Sequence, residues 1–217
     1  MHIPVRRLAE VAAPPAKPPK AFPFLCSMLQ ALKKIDVALL ELVNRDWSAP
    51  WLDKILPWLR YQELWYPFYI FMAAFAVINF GRRGWWWILG FVATVSLADT
   101  VSSKLIKQAV QRLRPCYDPE VLSMVELRVP RCSGGFSFTS SHAANHFAMA
   151  AFIFVTVYPF FGKKARLIFL WPVLVSYAQV YVGVHYPLDV IGGALVGLML
   201  GTITGRFFNR RISMQQA

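Results

Sequence analysis

Five stretches of the chain are long and apolar enough to be read as membrane crossings: residues 64–80, 85–106, 143–162, 165–184 and 187–207. Each approaches the roughly 20 helical residues that span a hydrocarbon core of about 30 Å. None shows the alternation of a membrane β-strand, so the pattern predicts an all-α integral membrane helical bundle with five spans. Residues 28–43 carry a different pattern. Met28, Leu32, Ile35, Leu39, Leu42 and Val43 fall on one helical stripe, with Lys33, Lys34, Asp36 and Glu41 largely elsewhere, which predicts a helix lying in the membrane interface. Trp47, Trp51 and Trp58, with Pro50 and Pro57 between them, suit headgroup depth. A sixth, imperfect crossing through 35–60 is the alternative and would put the tail on the same face as the C-terminus, but Asp36, Glu41, Arg45, Asp46, Asp53 and Lys54 make it expensive in lipid. The first 23 residues hold six prolines and no apolar run, so they read as a flexible tail, and no signal peptide is visible in them. The expected organisation is a tail at 1–26, interfacial helices at 27–60 and a membrane domain at 61–211 containing a long loop, 107–142.

Composition changes this picture little and charge refines it. The chain is 57% hydrophobic over 217 residues, too apolar for an ordinary soluble domain. A net charge of +12 raises nucleic acid as a partner, but the basic residues cluster at span ends, so the bilayer is the partner read here and nucleic acid is not. Arg82 and Arg83, then Lys163, Lys164 and Arg166, then Arg206, Arg210 and Arg211 fall on one face when the spans alternate, and the positive-inside rule assigns that face to the cytoplasm. The tail, with Arg6, Arg7, Lys17 and Lys20, then lies on the opposite face, and the loop charges outweigh it. Loop 107–142 and the turn at 184–188 share the outer face.

Three segments at span boundaries carry candidate chemistry. Lys107 and Arg114, before Pro115, are two turns apart on a continued helix, so both cations would face one anion. Ser140 and Ser141 precede and open the third span with His142, where a serine cap and free N–H groups make an anion site and histidine can deliver a proton. His185 sits on the tight turn before Pro187, and Asp189 lies in the first turn after it, so the carboxylate can hold one ring nitrogen and leave the other as a nucleophile. Taken singly, these are also a basic flank, a capped helix and a structural ion pair. Their occurrence in chain order, on one face, points to phosphate chemistry.

This arrangement resembles the type 2 phosphatidic acid phosphatase superfamily, whose signature is K-x-x-x-x-x-x-R-P, P-S-G-H and S-R-x-x-x-x-x-H-x-x-x-D. Lys107, Arg114 and Pro115 match the first motif, Ser140 and His142 the second, His185 and Asp189 the third. Thr139 and Ser141 replace the proline and glycine of the second, and Ala178-Gln179 the serine and arginine of the third. An amide at 179 offers fewer donors and no charge. The resemblance implies an enzyme of the bacterial inner membrane with its site facing outward. His185 would attack phosphorus, His142 would protonate the leaving oxygen, and water would hydrolyse a phosphohistidine. Lys107, Arg114, Ser140, Ser141 and Gln179 would hold the phosphate; neither metal nor cofactor is expected. Candidate substrates are undecaprenyl pyrophosphate, placed first, phosphatidylglycerol phosphate, phosphatidic acid and lipid A phosphates. Two other classes compete: a non-catalytic phospholipid binder or translocator, favoured by Gln179, and a lipid phosphotransferase using the same residues. Arg112 or Arg131 could restore the charge missing at 179. Oligomeric state is not legible. Cys116 and Cys132, both in the outer loop, are positioned to bridge in an oxidising envelope. His146, one turn after His142, reads as a packing residue, and Asp99 needs a partner inside the bundle, a nearby serine or Gln179.

Overall fold

The computed structural model describes residues 23–214, so all but the last few residues of the tail assigned to 1–26 lie outside them. Among the described residues the regular structure is helical throughout. The main helices are α1 (Pro23–Glu41), α2 (Pro50–Leu59), α3 (Tyr66–Phe80), α4 (Arg82–Asp99), α5 (Lys107–Val110), α6 (Ser141–Phe161), α7 (Leu170–Tyr181) and α8 (Pro187–Arg211). A π-helical segment, Thr100–Ile106, joins α4 to α5, and a 3-10 segment, Gly162–Phe169, joins α6 to α7.

Four continuous helical runs are long and apolar enough to cross a membrane: Gln62–Phe80, Arg82–Val110, Ser141–Tyr181 and Pro187–Arg211. The third corresponds to two of the five expected spans. At 41 residues it would be about 60 Å long if straight. It is bent back at Gly162, whose φ of +54° is open to glycine. His146 consequently lies against Trp171, with ring centroids 5.0 Å apart, and Phe154 against Phe169 at 5.6 Å. The chain is thus a membrane bundle in which α6 and α7 run antiparallel.

The chain divides within α1, one unit ending at Ile35 and the next beginning at Asp36. In the first, Met28, Leu29, Leu32 and Ile35 are exposed. The second takes in part of the segment assigned to interfacial helices, since Asp36, Leu40, Asn44 and Leu56 are buried. Spacings of four residues put Asp36, Leu40 and Asn44 on one face of the helix. Asn44 donates to the Tyr181 carbonyl at 2.7 Å and exchanges hydrogen bonds with the backbone of Glu126 at 2.9 and 2.8 Å. Leu39, Trp47, Trp51 and Trp58 remain exposed.

The pairing of α6 with α8 places the site. Glycine every fourth residue lets the two backbones approach closely: a Cβ at Gly193 would lie 2.4 Å from the Ser140 carbonyl oxygen, and one at Gly197 2.3 Å from that of Ala144. The N-termini of both helices therefore meet, and the Ser140 N–H donates to the Asp189 carbonyl at 2.9 Å.

Candidate active site

Tyr186 and Pro187 start α8 in a way that fixes Asp189. Proline occupies the first helical turn, and the Asp189 carboxylate, at the third helical position, reaches back to accept the Tyr186 N–H at 2.9 Å. The same carboxylate accepts the Ser137 hydroxyl in a very short contact and the Arg112 guanidinium at 2.8 Å. Its Oδ2 stands 3.4 Å from His185 Nδ1. The other imidazole nitrogen, Nε2, is 2.9 Å from Arg114 Nη1. A guanidinium has no acceptor, so Nε2 must present its lone pair and the proton must sit on Nδ1, toward Asp189 and Ser137. His185 is 2% exposed. Burial, with help from the neighbouring Arg114 and Lys107 and against the pull of Asp189, brings its pKa down to about 4, so the ring is neutral at physiological pH.

Arg114 is held by backbone carbonyls rather than by an acid. It donates to Gly135 at 3.2 Å, Gly134 at 3.3 Å and Val184 at 3.1 Å. Burial draws its pKa down to about 10; Asp189 opposes the shift and the nearby Arg60 adds to it. Arg114 does not share a helical face with Lys107. Helix α5 ends at Val110, with Gln111 left-handed at φ 51°, ψ 31°, so the two cations approach through a loop. Lys107 nevertheless stays within electrostatic reach of both His185 and His142. A disulfide joins Cys116 to Cys132, with Cα atoms 6.2 Å apart. It ties the Arg114 segment to the Gly134-Gly135 carbonyls that grip it.

At the start of α6, Ser140 is the N-cap and its hydroxyl accepts from the Ala143 N–H at 3.4 Å. Of the N–H groups at this helix start, that of Ser140 is taken by the Asp189 carbonyl. Those of Ser141 and His142 occupy the first turn, where helical geometry supplies no partner. The Ser141 hydroxyl is 2.8 Å from that of Ser103, which donates to Asp99 at 3.1 Å; Asn145 also donates to Asp99, at 3.2 Å. Asp99 thus finds its partners in a serine and an asparagine, not in Gln179. His146 packs on Trp171 and its Nδ1 is 2.8 Å from the His142 carbonyl oxygen.

Gln179 is wholly buried, and among the described residues neither atom of its amide has a hydrogen-bond partner. It lines neither of the two cavities that border His142. Arg112, one of the residues considered as its substitute, is committed elsewhere. It bridges Asp189 to Asp36, at 2.8 and 2.6 Å, and lies 3.8 Å over the Tyr186 ring, while Asp36 also accepts the Leu188 N–H at 2.8 Å. Burial opposes its charge, but Asp189 and Asp36 together hold its pKa above the ordinary arginine value.

Three contributors escaped the sequence reading. Ser137 has a signal only in retrospect, as a serine three residues before the cap. Asp36 and Arg60 lie outside the motif-bearing segments, and their roles depend on tertiary partners.

Residues 84–213 match the PAP2 superfamily. Lipid A 4'-phosphatase of Bacteroides thetaiotaomicron is 32% identical over 175 residues, 78% of this chain and 75% of that protein. Phosphatidylglycerophosphatase B of Bacillus subtilis is 27% identical over 161 residues, 70% of this chain and 72% of that protein. Among solved structures, the transmembrane PAP2-type phosphatidylglycerolphosphate phosphatase from Bacillus subtilis shares the fold, with a TM-score of 0.61 at 23% identity over 86% of this chain and 90% of that one. The Aquifex aeolicus LpxE crystal structure gives 0.56 at 26% identity, covering 79% and 95%.

Proposed function

Because the chain belongs to the PAP2 superfamily and is a membrane lipid phosphatase, we propose that it hydrolyses a lipid phosphate or pyrophosphate through a phosphohistidine on His185, without a metal, at the outer face of a bacterial inner membrane. The observation that carries this reading is the imidazole of His185, poised between Asp189 on Nδ1 and Arg114 on Nε2. Substrate entry moves the Arg114 guanidinium from the Nε2 lone pair onto a phosphate oxygen, and the freed lone pair attacks phosphorus in line. The P–O bond to the lipid breaks, its electron pair stays on oxygen, and His142 supplies the proton. Water then attacks the phosphorus of the phosphoramidate and gives a proton to His142. The N–P bond breaks and its electron pair returns to Nε2. Asp189 and Ser137 stabilise the charge that develops on the ring as Nδ1–H is retained. Lys107, Arg114 and the N–H groups of Ser141 and His142 meet the equatorial oxygens, and the unpartnered amide of Gln179 is a further donor. Ser140 contributes by capping the helix.

Two substrate readings within this class rest on different observations. The relatives' names, lipid A 4'-phosphatase and phosphatidylglycerophosphatase B, favour a phosphomonoester. The missing arginine at 179 favours a better leaving group, as in undecaprenyl pyrophosphate. Phosphate release from a panel of lipid A, phosphatidylglycerol phosphate, phosphatidic acid and undecaprenyl pyrophosphate, in detergent with excess EDTA, tests both. Turnover is expected to survive chelation. Loss restored by a divalent cation would overturn the metal-free mechanism, and binding without turnover of any member would favour a lipid binder.

A further inference from the structure

His142 borders two cavities, and only the second is lined by arginines. One, of about 340 Å³, has an apolar wall of Tyr69, Phe91, Val95 and Met149 on α3, α4 and α6 and a polar wall that includes Asp99 and Asn145. The other, of about 430 Å³, lies between the end of α2 and the loop at 129–133 and is lined by Arg60, Arg131, Ser133 and Glu63. Gln62 and His142 belong to both, so the two chambers adjoin at the histidine.

The second chamber holds charge that the protein leaves open. Arg45, Arg112 and Arg128 are each paired with a carboxylate. Arg60 and Arg131 have no carboxylate partner among the described residues. Arg60 is half-buried and anchored by a 3.0 Å hydrogen bond to the Ser133 hydroxyl, which leaves most of its fork unused. It interacts electrostatically with Arg114, a second guanidinium, so an anion between them relieves a repulsion. Glu63 is the only acid among the lining residues and forms no ion pair there, so the chamber is net positive. Two guanidiniums lining one concave space favour phosphate or carboxylate groups there.

We propose that this chamber is a second anion subsite on the leaving-group side of His142, and that the preferred substrate is a lipid phosphate whose leaving group is itself anionic, such as a lipid pyrophosphate. The inference rests on the phosphatase reading and deepens it. The scissile phosphate sits at His185, the next anionic group between Arg60 and Arg131, and the hydrocarbon chain lies along the apolar wall of the first chamber. An anionic leaving oxygen stabilised by two guanidiniums needs less from His142 and from the charge missing at 179.

The test uses methylenediphosphonate, whose P–C–P bridge cannot be hydrolysed, against methylphosphonate, which fills only the catalytic phosphate site. Calorimetry on the whole protein in detergent is expected to give wild type a preference for the diphosphonate of about tenfold or more, the size of one good charge-assisted contact. Arg131→Gln, on an exposed side chain that the fold tolerates, should cut that preference severalfold, Arg60→Gln should remove most of it, and Arg60→Lys should restore part. In parallel, kcat/KM for a lipid pyrophosphate relative to the matching monophosphate should fall in both glutamine variants. Equal affinity of wild type for the two phosphonates, or a preference that survives the double Arg60→Gln/Arg131→Gln substitution, would overturn the subsite. Absence of lipid turnover with the phosphonate preference intact would instead sink the phosphatase reading and leave the anion subsite standing.

Discussion

Replacing Asp36 separates what stabilises the fold from what aligns the nucleophile. Asp36 is fully buried, accepts Arg112 at 2.6 Å and the Leu188 N–H at 2.8 Å, and belongs to a helix whose sequence reads as a surface collar. The two partners of the pair shift in discordant ways. Arg112 is held charged, with Asp189 its strongest supporter, whereas burial raises the Asp36 pKa despite Leu188 and Arg112. For the worth of the Asp36 charge the Asp36 shift decides, because that of Arg112 also contains the support of Asp189. A carboxylate whose folded pKa lies above its unfolded value contributes stability below the unfolded value and loses it as pH rises through the folded one. At neutral pH the charge is therefore no net stabiliser. Asp36→Asn should change stability by less than about 1 kcal/mol, while Asp36→Ala, which also strands the Leu188 N–H, should cost roughly 1–3 kcal/mol. Both loosen one of the two anchors of Arg112, and through it Asp189 and His185. A loss of alignment worth about 1 kcal/mol would lower kcat roughly fivefold with KM little changed. Tryptophan-fluorescence melting in detergent reads the first effect and phosphate release the second. If Asp36→Asn destabilises as much as Asp36→Ala, or if kcat is untouched in both, the separation of roles is wrong.

Gln179→Leu should raise stability by about 1 kcal/mol by removing two unpartnered buried polar atoms, yet lower kcat, whereas Gln179→Arg should retain or raise kcat; unchanged turnover in Gln179→Leu would remove the amide from the phosphate site. The Cys116–Cys132 bridge closes a loop worth about 3 kcal/mol in the chain-entropy model, so Cys116→Ser should lower the melting temperature and weaken turnover through Arg114, and unreduced peptide mapping should find the linked pair. Nitrogen NMR of histidine-labelled protein should show the His185 ring gaining its second proton only near pH 4, and a midpoint near the ordinary histidine value would contradict its buried, neutral state.

What the sequence reveals here depends on how local each feature is. Span positions follow from unbroken apolar runs, and the start of α8 from Pro187 with Asp189 behind it, because both signals act over a few residues. The cap at Ser140 is legible for the same reason. The end of α5 is not: Pro115 announces a break, but the left-handed Gln111 stops the helix four residues sooner, and no glycine or asparagine marks the place. Asp36 looks like any charged residue on a helix surface until Arg112, 76 positions away, is seen to reach it. Arg60 likewise becomes meaningful only once the loop at 129–133 folds over it. The bend at Gly162 is legible too, because Lys163, Lys164 and Arg166 interrupt the apolar run between the third and fourth expected spans.

The central claim is that phosphate passes through His185. Wild-type enzyme mixed with a radiolabelled lipid phosphate and quenched in denaturant at alkaline pH should carry label on His185, stable to alkali and released by acid. His185→Ala, folded by its melting curve, should carry none and turn over no substrate. Label on another residue, or undiminished phosphate release by His185→Ala, would contradict the account.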